Sequence, residues 1–385
     1  MENQSRIEKR RKNLFILSQL VIVVLAIAVG YFGHNLILRH QNDLALLKQA
    51  RQIVIDNALV EAPPSDTEME YGMIQGMLTT FGDPYTVFFP PAAHEVKSNT
   101  LAGSFGGVGV RLERDSDSHW RVYPLPDSPA LAAGIQDADI LMAVDDRTIT
   151  TETAEVDLLA AVRGPVGETV SLTLRRDEEE ITVDIRRESV PIPSAAWNLI
   201  PNTPEIGLIH VYRIAETTSD EITSGIVDLQ GQGAASFILD LRNNGGGLVE
   251  SGVDIARLFL SEGNVLHEQF KEESETVFEV KQPGPFADLP LAVLVNGNTA
   301  SSAEIVAGAL AAHERAPLIG APTFGKTTIQ YIFDLQDGAS IHVTSGRWWI
   351  PGAVFPLQPD IAVSDDPDGT AAVQAALDWF SANTP

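Results

Sequence analysis

The chain contains no cysteine. That alone excludes disulfides, a thiolate nucleophile and cysteine-ligated zinc. Positive charge is also scarce: 26 Lys and Arg stand against 52 Asp and Glu in 385 residues, a formal net charge of −26. Such a surface repels nucleic acid and anionic lipid, so no nucleic-acid partner is expected. No G-x-S-x-G nucleophile elbow occurs. His-Glu pairs stand at 94–95, 267–268 and 313–314, but none extends to H-E-x-x-H, which removes zincin chemistry. No repeat of fixed period is present.

A hydrophobic content of 44% is enough for two or three domains with cores. At the amino terminus Arg6, Lys9, Arg10, Arg11 and Lys12 precede the uncharged stretch Leu14–Phe32. That stretch has the length of a bilayer-spanning helix, and its basic flank is expected to stay in the cytoplasm. Ala26-Ile27-Ala28 offers an A-x-A cleavage site, yet the apolar run continues beyond it, which favours an uncleaved anchor. The expected organisation is a basic cytoplasmic tail over 1–13, a transmembrane signal anchor over 14–32, and a helical region over 33–99. A β-rich module over 100–188 and an α/β domain over 189–385 follow. The protein is accordingly expected to be a single-pass plasma (inner) membrane protein whose bulk is extracytoplasmic, in a periplasm-like compartment.

From residue 100 the texture is short alternating runs: HWRVYPL, ILMAVDD, TVSLTLRR and ITVDIRRES, with a helical piece near 152–163. VPIPSAAW reads as a linker. Beyond it IGLIHVYR, ASFILDLR, LAVLVNG and APLIGAP are continuous apolar runs, as strands buried on both faces require. SDEITSGIVDLQGQ, LVESGVDIARLFLSEG and SAEIVAGALAAH supply helices between them. In such a sheet functional residues collect at the carboxyl ends of strands. Three segments stand at those ends: DLRNNGGG, NGNTASS and TFGKTTIQ.

Ser301-Ser302-Ala303-Glu304 has the capping-box pattern, and capping alone would explain it. A nucleophile needs a base. His313 is twelve residues along the same helix from Ser301, roughly 18 Å away at 1.5 Å per residue, and cannot reach it. His210 and His342 lie in strand-like runs. Lys326 is the only lysine after Lys281, and it sits between Phe324-Gly325 and a strand, where desolvation would favour the neutral amine. An exposed loop lysine would explain it equally. The glycines of DLRNNGGG can turn backbone amides outward, with Asp240 and Arg242 organising the loop.

Together DLRNNGGGLVESGVDIARLFL, VLVNGNTASSAEIVAGAL and PTFGKTTIQ resemble the carboxyl-terminal processing proteases, tail-specific S41-type peptidases with a Ser-Lys dyad. The resemblance runs back through the GSFGGVGV module, which is similar to the family's PDZ domain, and through GDPYTVFFPP. It implies an α/β (crotonase/ClpP-like) protease domain with an inserted β-rich PDZ domain. It also implies Ser301 as nucleophile, Lys326 as base and Gln330 as its support. A regular strand would start Lys326 and Gln330 roughly 13 Å apart, so their contact requires a bend. The Ser302 amide and a loop amide, best Gly246, are the implied oxyanion hole, with Thr299 as support. The loop Gly103, Ser104, Phe105, Gly106, Gly107, Val108 and Gly109 would hold a substrate's terminal carboxylate. The strand after it would add the peptide as a β-strand, against a wall of Val156, Leu159 and Ala160. Arg163 is a candidate gating contact. Protein or peptide carboxyl-terminal tails are the implied partners, and no metal or cofactor is implied. The alternative is a non-catalytic PDZ-type peptide-binding scaffold on a protease-derived fold; the oligomeric state stays open.

Overall fold

The computed structural model of the chain describes residues 44–60, 62–364 and 369–383. The expected basic tail and membrane anchor, residues 1–32, lie outside them. No helix among the described residues is long and apolar enough to cross a bilayer. The chain divides into two units, residues 1–72 and 73–385. The first holds α1 (Ala45–Asn57), which buries no residue, and the opening turns of α2 (Asp66–Thr79). A capping box starts α2: Ser65 and Glu68 exchange amide hydrogen bonds of 2.7 and 3.2 Å.

In the second unit α2 gives way to β1 (Val87–Phe89) and then α3 (Pro91–Ala102), with Pro91 at a first-turn position where no amide is needed. Next come β2 (Ser104–Gly107), β3 (Val110–Arg114), β4 (Trp120–Pro124), α4 (Pro129–Ala132), β5 (Asp139–Val144) and β6 (Arg147–Thr148). This module continues with α5 (Glu155–Val162), β7 (Thr169–Arg176), β8 (Glu179–Arg186) and β9 (Glu188–Pro191). The sheet order is β3-β4-β5-β7-β8, all antiparallel, with β6 paired to β5. Alternation places Val170, Leu172 and Leu174 of β7 in its core beside Val122, Leu141 and Leu158. β2 pairs antiparallel with β9, so one two-stranded neck carries the chain into the module and out of it.

The rest comprises β10 (Ala195–Ile200), β11 (Thr203–Val211), α6 (Thr218–Gly231), β12 (Ser236–Asp240), α7 (Val249–Phe259), β13 (Asn264–Phe270) and β14 (Thr276–Glu279). It ends with β15 (Leu291–Val295), α8 (Ser302–Ala312), β16 (Leu318–Gly320), β17 (Thr328–Asp334), β18 (Ser340–Trp349), β19 (Ile361–Ala362) and α9 (Thr370–Asn383). The main sheet runs β10-β11-β12-β15-β16-β19, parallel throughout except for β10. Its apolar runs are buried on both faces, as expected. In β15, Leu291, Val293 and Val295 join the core under α6, α7 and α8, whereas Ala292 and Leu294 face the core under α9.

Two expectations are corrected here. The linker is shorter than VPIPSAAW, because Ala195, Ala196 and Trp197 already pair with β11. And GDPYTVFFPP does not belong to a helical region: β1 pairs with β18, in a second, antiparallel sheet of β1, β13, β14, β17 and β18. That sheet carries Gln330.

Candidate active site

Ser301 follows the buried strand β15 through the loop 296–300. Thr299 holds that loop: its hydroxyl donates to the Leu241 carbonyl (2.9 Å) and accepts the Asn296 amide (3.0 Å). Asn244, fully buried, accepts the Ala300 amide at its carbonyl (2.9 Å) and donates its side chain to Val211 (2.8 Å). Thus the DLRNNGGG loop and the serine loop are one hydrogen-bonded unit. Ser301 itself has φ 55° and ψ −126°, a sparsely populated positive-φ conformation that costs a non-glycine residue on the order of 1–3 kcal/mol. The chain thereby builds a strained serine turn without the G-x-S-x-G letters.

Glu304 completes the capping box and does more than cap. Its buried carboxylate accepts the Ser301 amide (3.0 Å), the Thr323 hydroxyl (2.6 Å), the Gly325 amide (2.7 Å) and the Lys326 amide (2.9 Å). One side chain therefore fixes the backbone of both candidate dyad residues. In the sequence Glu304 reads only as a cap, because no spacing encodes its partners at 323–326.

Ser301 and Lys326 open on one cleft of about 460 Å³, whose lining also includes Gly246, Gln330 and His342. The Lys326 ammonium donates to Gln330 Oε1 (2.7 Å), and the Gln330 amide donates to the Tyr85 carbonyl. The required bend exists: β17 begins only at Thr328 and is bulged between Ile329 and Gln330. Burial holds the Lys326 pKa below that of an ordinary lysine. Lys97 lowers it further, and Asp83 works against both. No hydrogen bond joins Ser301 to Lys326 in this arrangement.

The two residues expected to form the oxyanion hole lie side by side, but their amides differ. Ser302 is the first residue of α8, where an amide has no helical acceptor. Gly246 lies against it: a Cβ there would come 2.9 Å from the Ser302 nitrogen and 2.9 Å from the Ser301 Cβ, and φ is 88°. The Gly246 amide, however, donates to Asn244 Oδ1 (2.8 Å) and is not offered to the cleft. Polar satisfaction of the loop has taken the donor that the pattern suggested.

Asp240 and Arg242 organise the loop as expected. Arg242 donates to Asp240 at 2.8 and 2.7 Å and to the Gly369 carbonyl at 2.6 Å. Burial raises the Asp240 pKa, but the bonds and charge of Arg242 and His210 outweigh it and hold the carboxyl below its usual range. His210 is thus structural, bonded to Asp240 at 3.1 Å. His313 bonds the Asn264 carbonyl (2.9 Å) and takes no part in the cleft.

Residues 320–327 also spell G-x-x-x-x-G-K-T, the letters of a phosphate-binding loop. The structure builds something else. A strand follows the lysine where a P-loop needs a helix, and the Gly325 and Lys326 amides already bind a carboxylate.

In the β-rich module, Gly103 ends α3, Ser104–Gly107 form the neck strand, Val108 is fully buried and Gly109 turns the chain with φ 73°. β3 is an edge strand of its sheet, open to an added strand. The Arg163 guanidinium lies 4.4 Å over the Phe105 ring and lines a pocket of about 460 Å³ with Gly106, Ala160 and α3. That pocket is separate from the dyad cleft. On α5, Leu159 is half-buried and Leu158 fills the core; the Val156 side chain lies outside the described part.

A family model described as peptidase family S41 matches residues 205–363, and a PDZ domain model matches 106–186. The carboxyl-terminal-processing protease of Picosynechococcus sp. is 34% identical over 85% of this chain and 83% of its own. The protein of the same name from Synechocystis sp. is 35% identical over 76% and 69%. Among solved structures, the photosystem II D1 C-terminal processing protease is similar, with 27% identity and a TM-score of 0.45, covering 82% of this chain and 86% of that one. The chain therefore belongs to the carboxyl-terminal-processing proteases, serine peptidases of family S41 with a PDZ domain.

Proposed function

We propose that this serine peptidase is a membrane-anchored, extracytoplasmic endopeptidase that binds protein tails at its PDZ domain and cleaves by a Ser301-Lys326 dyad. The observation that carries the dyad is Glu304, which ties the Ser301 amide to the Lys326 amide at the edge of one cleft. Neutral Lys326 takes the Ser301 proton as Oγ attacks the substrate carbonyl carbon. The oxyanion develops at the Ser302 amide, next to the positive end of α8. Lys326 then protonates the leaving amine; neutral again, it deprotonates the water that attacks the acyl-enzyme and returns that proton to Ser301 Oγ as the acyl group leaves. For the attack, Lys326 Nζ must turn from Gln330 to Ser301 Oγ. A second oxyanion donor requires a loop amide such as that of Gly246 to leave Asn244.

Tail recognition is supported by the edge position of β3 and by the pocket lined by Gly106 and by Arg163, whose guanidinium rests on the Phe105 ring. Anchoring is supported by the basic residues 6–12 and the uncharged stretch 14–32. The test is cleavage of a peptide library by the full chain beside Ser301→Ala and Lys326→Ala, read by mass spectrometry. Products clustered near free carboxyl termini, absent with both variants, support the reading; products surviving in either variant refute the dyad. Binding of tails without any cleavage by the wild type would favour the scaffold alternative.

A further inference from the structure

The base is touched from directions that the dyad does not explain. Tyr85, in the turn before β1, places its ring centroid 4.7 Å from Lys326 Nζ. The carbonyl of the same residue accepts the Gln330 amide, which leaves Gln330 Oε1 facing the lysine (2.7 Å). Tyr85 is itself fixed, since its amide donates to Asp83 Oδ1 (3.0 Å), and β1 locks the segment onto β18. An aromatic face favours the ammonium over the neutral amine.

Lys97 opposes it. Lys97 and Leu101, one helical turn apart on α3, both line the cleft with Ser301 and Lys326. One turn earlier, His94 fastens α3 to the same antiparallel sheet through Ser340 Oγ (2.7 Å). No ion pair or hydrogen bond engages the Lys97 ammonium among the described residues. A second cation at the cleft makes a charged Lys326 less favourable.

We propose that Tyr85 and Lys97 are opposed positioning residues for the base: the Tyr85 ring holds Lys326 as the ammonium, and Lys97 drives it toward the neutral amine. The inference rests on Lys326 acting as the base. The other charged or titratable groups facing this lysine are Asp83 before β1, Glu304 of α8 at its amide, and Glu250, Glu268, Tyr331 and His342 across the cleft. All of them stay unchanged in the variants below.

The test is the pH profile of kcat/KM for peptide cleavage by the full chain, whose acidic limb follows deprotonation of the base. Lys97→Gln should move that limb to higher pH and lower kcat/KM below it about two- to threefold; added salt should shrink the shift. Tyr85→Leu keeps apolar cover but removes the ring face, so its limb should move to lower pH, raising kcat/KM below it about two- to fivefold. Lys97→Arg and Tyr85→Phe should leave the limb at the wild-type position, and thermal melts establish that all four variants fold. Limbs that do not move, or that move in the same direction for Lys97→Gln and Tyr85→Leu, overturn the proposal. Cleavage that survives in Ser301→Ala or Lys326→Ala identifies a different failure: the dyad reading falls, and this inference with it.

Discussion

The two sides of the cleft are built differently. On the side of the proposed nucleophile, Ser301 caps α8 one short loop after a strand buried on both faces, and Thr299, Asn244 and Glu304 around it are buried and hydrogen-bonded. On the side of the proposed base, Lys326 and Gln330 are half-buried; Gln330 belongs to a separate antiparallel sheet, and Lys326 lies in the loop just before its strand β17. Their partners Tyr85 and Lys97 come from far upstream in the chain. The proposed nucleophile is set by the core and the proposed base by a clamp. The difference shows where flexibility can reside: the serine turn cannot move without opening the core, whereas the lysine can change partners.

Substitutions can sharpen or break that contrast. The largest loss is expected on removing either chemical group: Ser301→Ala or Lys326→Ala should lower kcat by about 10⁴-fold or more, measured with a tail-bearing peptide, with unchanged folding. Glu304→Ala should strike both sides at once. It leaves three amides and a hydroxyl without an acceptor, for a loss of about 3 kcal/mol or more in urea denaturation as well as a loss of cleavage. Gly246→Ala should act on the nucleophile side alone. Its φ of 88° and a Cβ 2.7 Å from the Ala300 carbonyl oxygen predict about 1–3 kcal/mol of destabilisation.

The smallest effect concerns pH. The folded-state pKa of Asp240 is depressed, so its contribution to stability is fully present above the unfolded carboxyl range and is lost as pH falls through the folded value. Asp240→Asn should therefore be less stable than wild type at pH 7, with the gap narrowing below about pH 4. Urea midpoints across pH 2–7 measure it; a gap of constant size would remove Asp240 from the acid sensitivity of the loop.

Legibility in the sequence follows the same division. Continuous apolar runs such as ASFILDLR announced strands buried on both faces, because that burial leaves no polar alternation. The loop of Thr299, Ser301 and Ser302 is legible because a strand end, a cap pattern and a helix stripe coincide locally, whereas the separate roles of the three come only from the family resemblance. The antiparallel sheet was not legible. β17 carries Tyr331, Ile332 and Phe333 partly in solvent, and β13 reads as NVLHEQF, so neither shows clean alternation. Tyr85 and Gln330 are 245 residues apart, and their contact is made by the pairing of β1 with β18, which no local pattern encodes. Gly246 is expected to offer an oxyanion amide; it does pack against Ser301 and Ser302, but the capture of its amide by Asn244 depends on a side-chain rotamer that no local pattern encodes.

The most direct measurement is labelling of the full chain with a serine-reactive phosphonate, with the modified residue mapped by mass spectrometry. A single adduct on Ser301 is expected in the wild type, with a label rate at least about a hundredfold lower in Lys326→Ala. An adduct on another residue, or equal labelling of Ser301 without Lys326, would contradict the dyad.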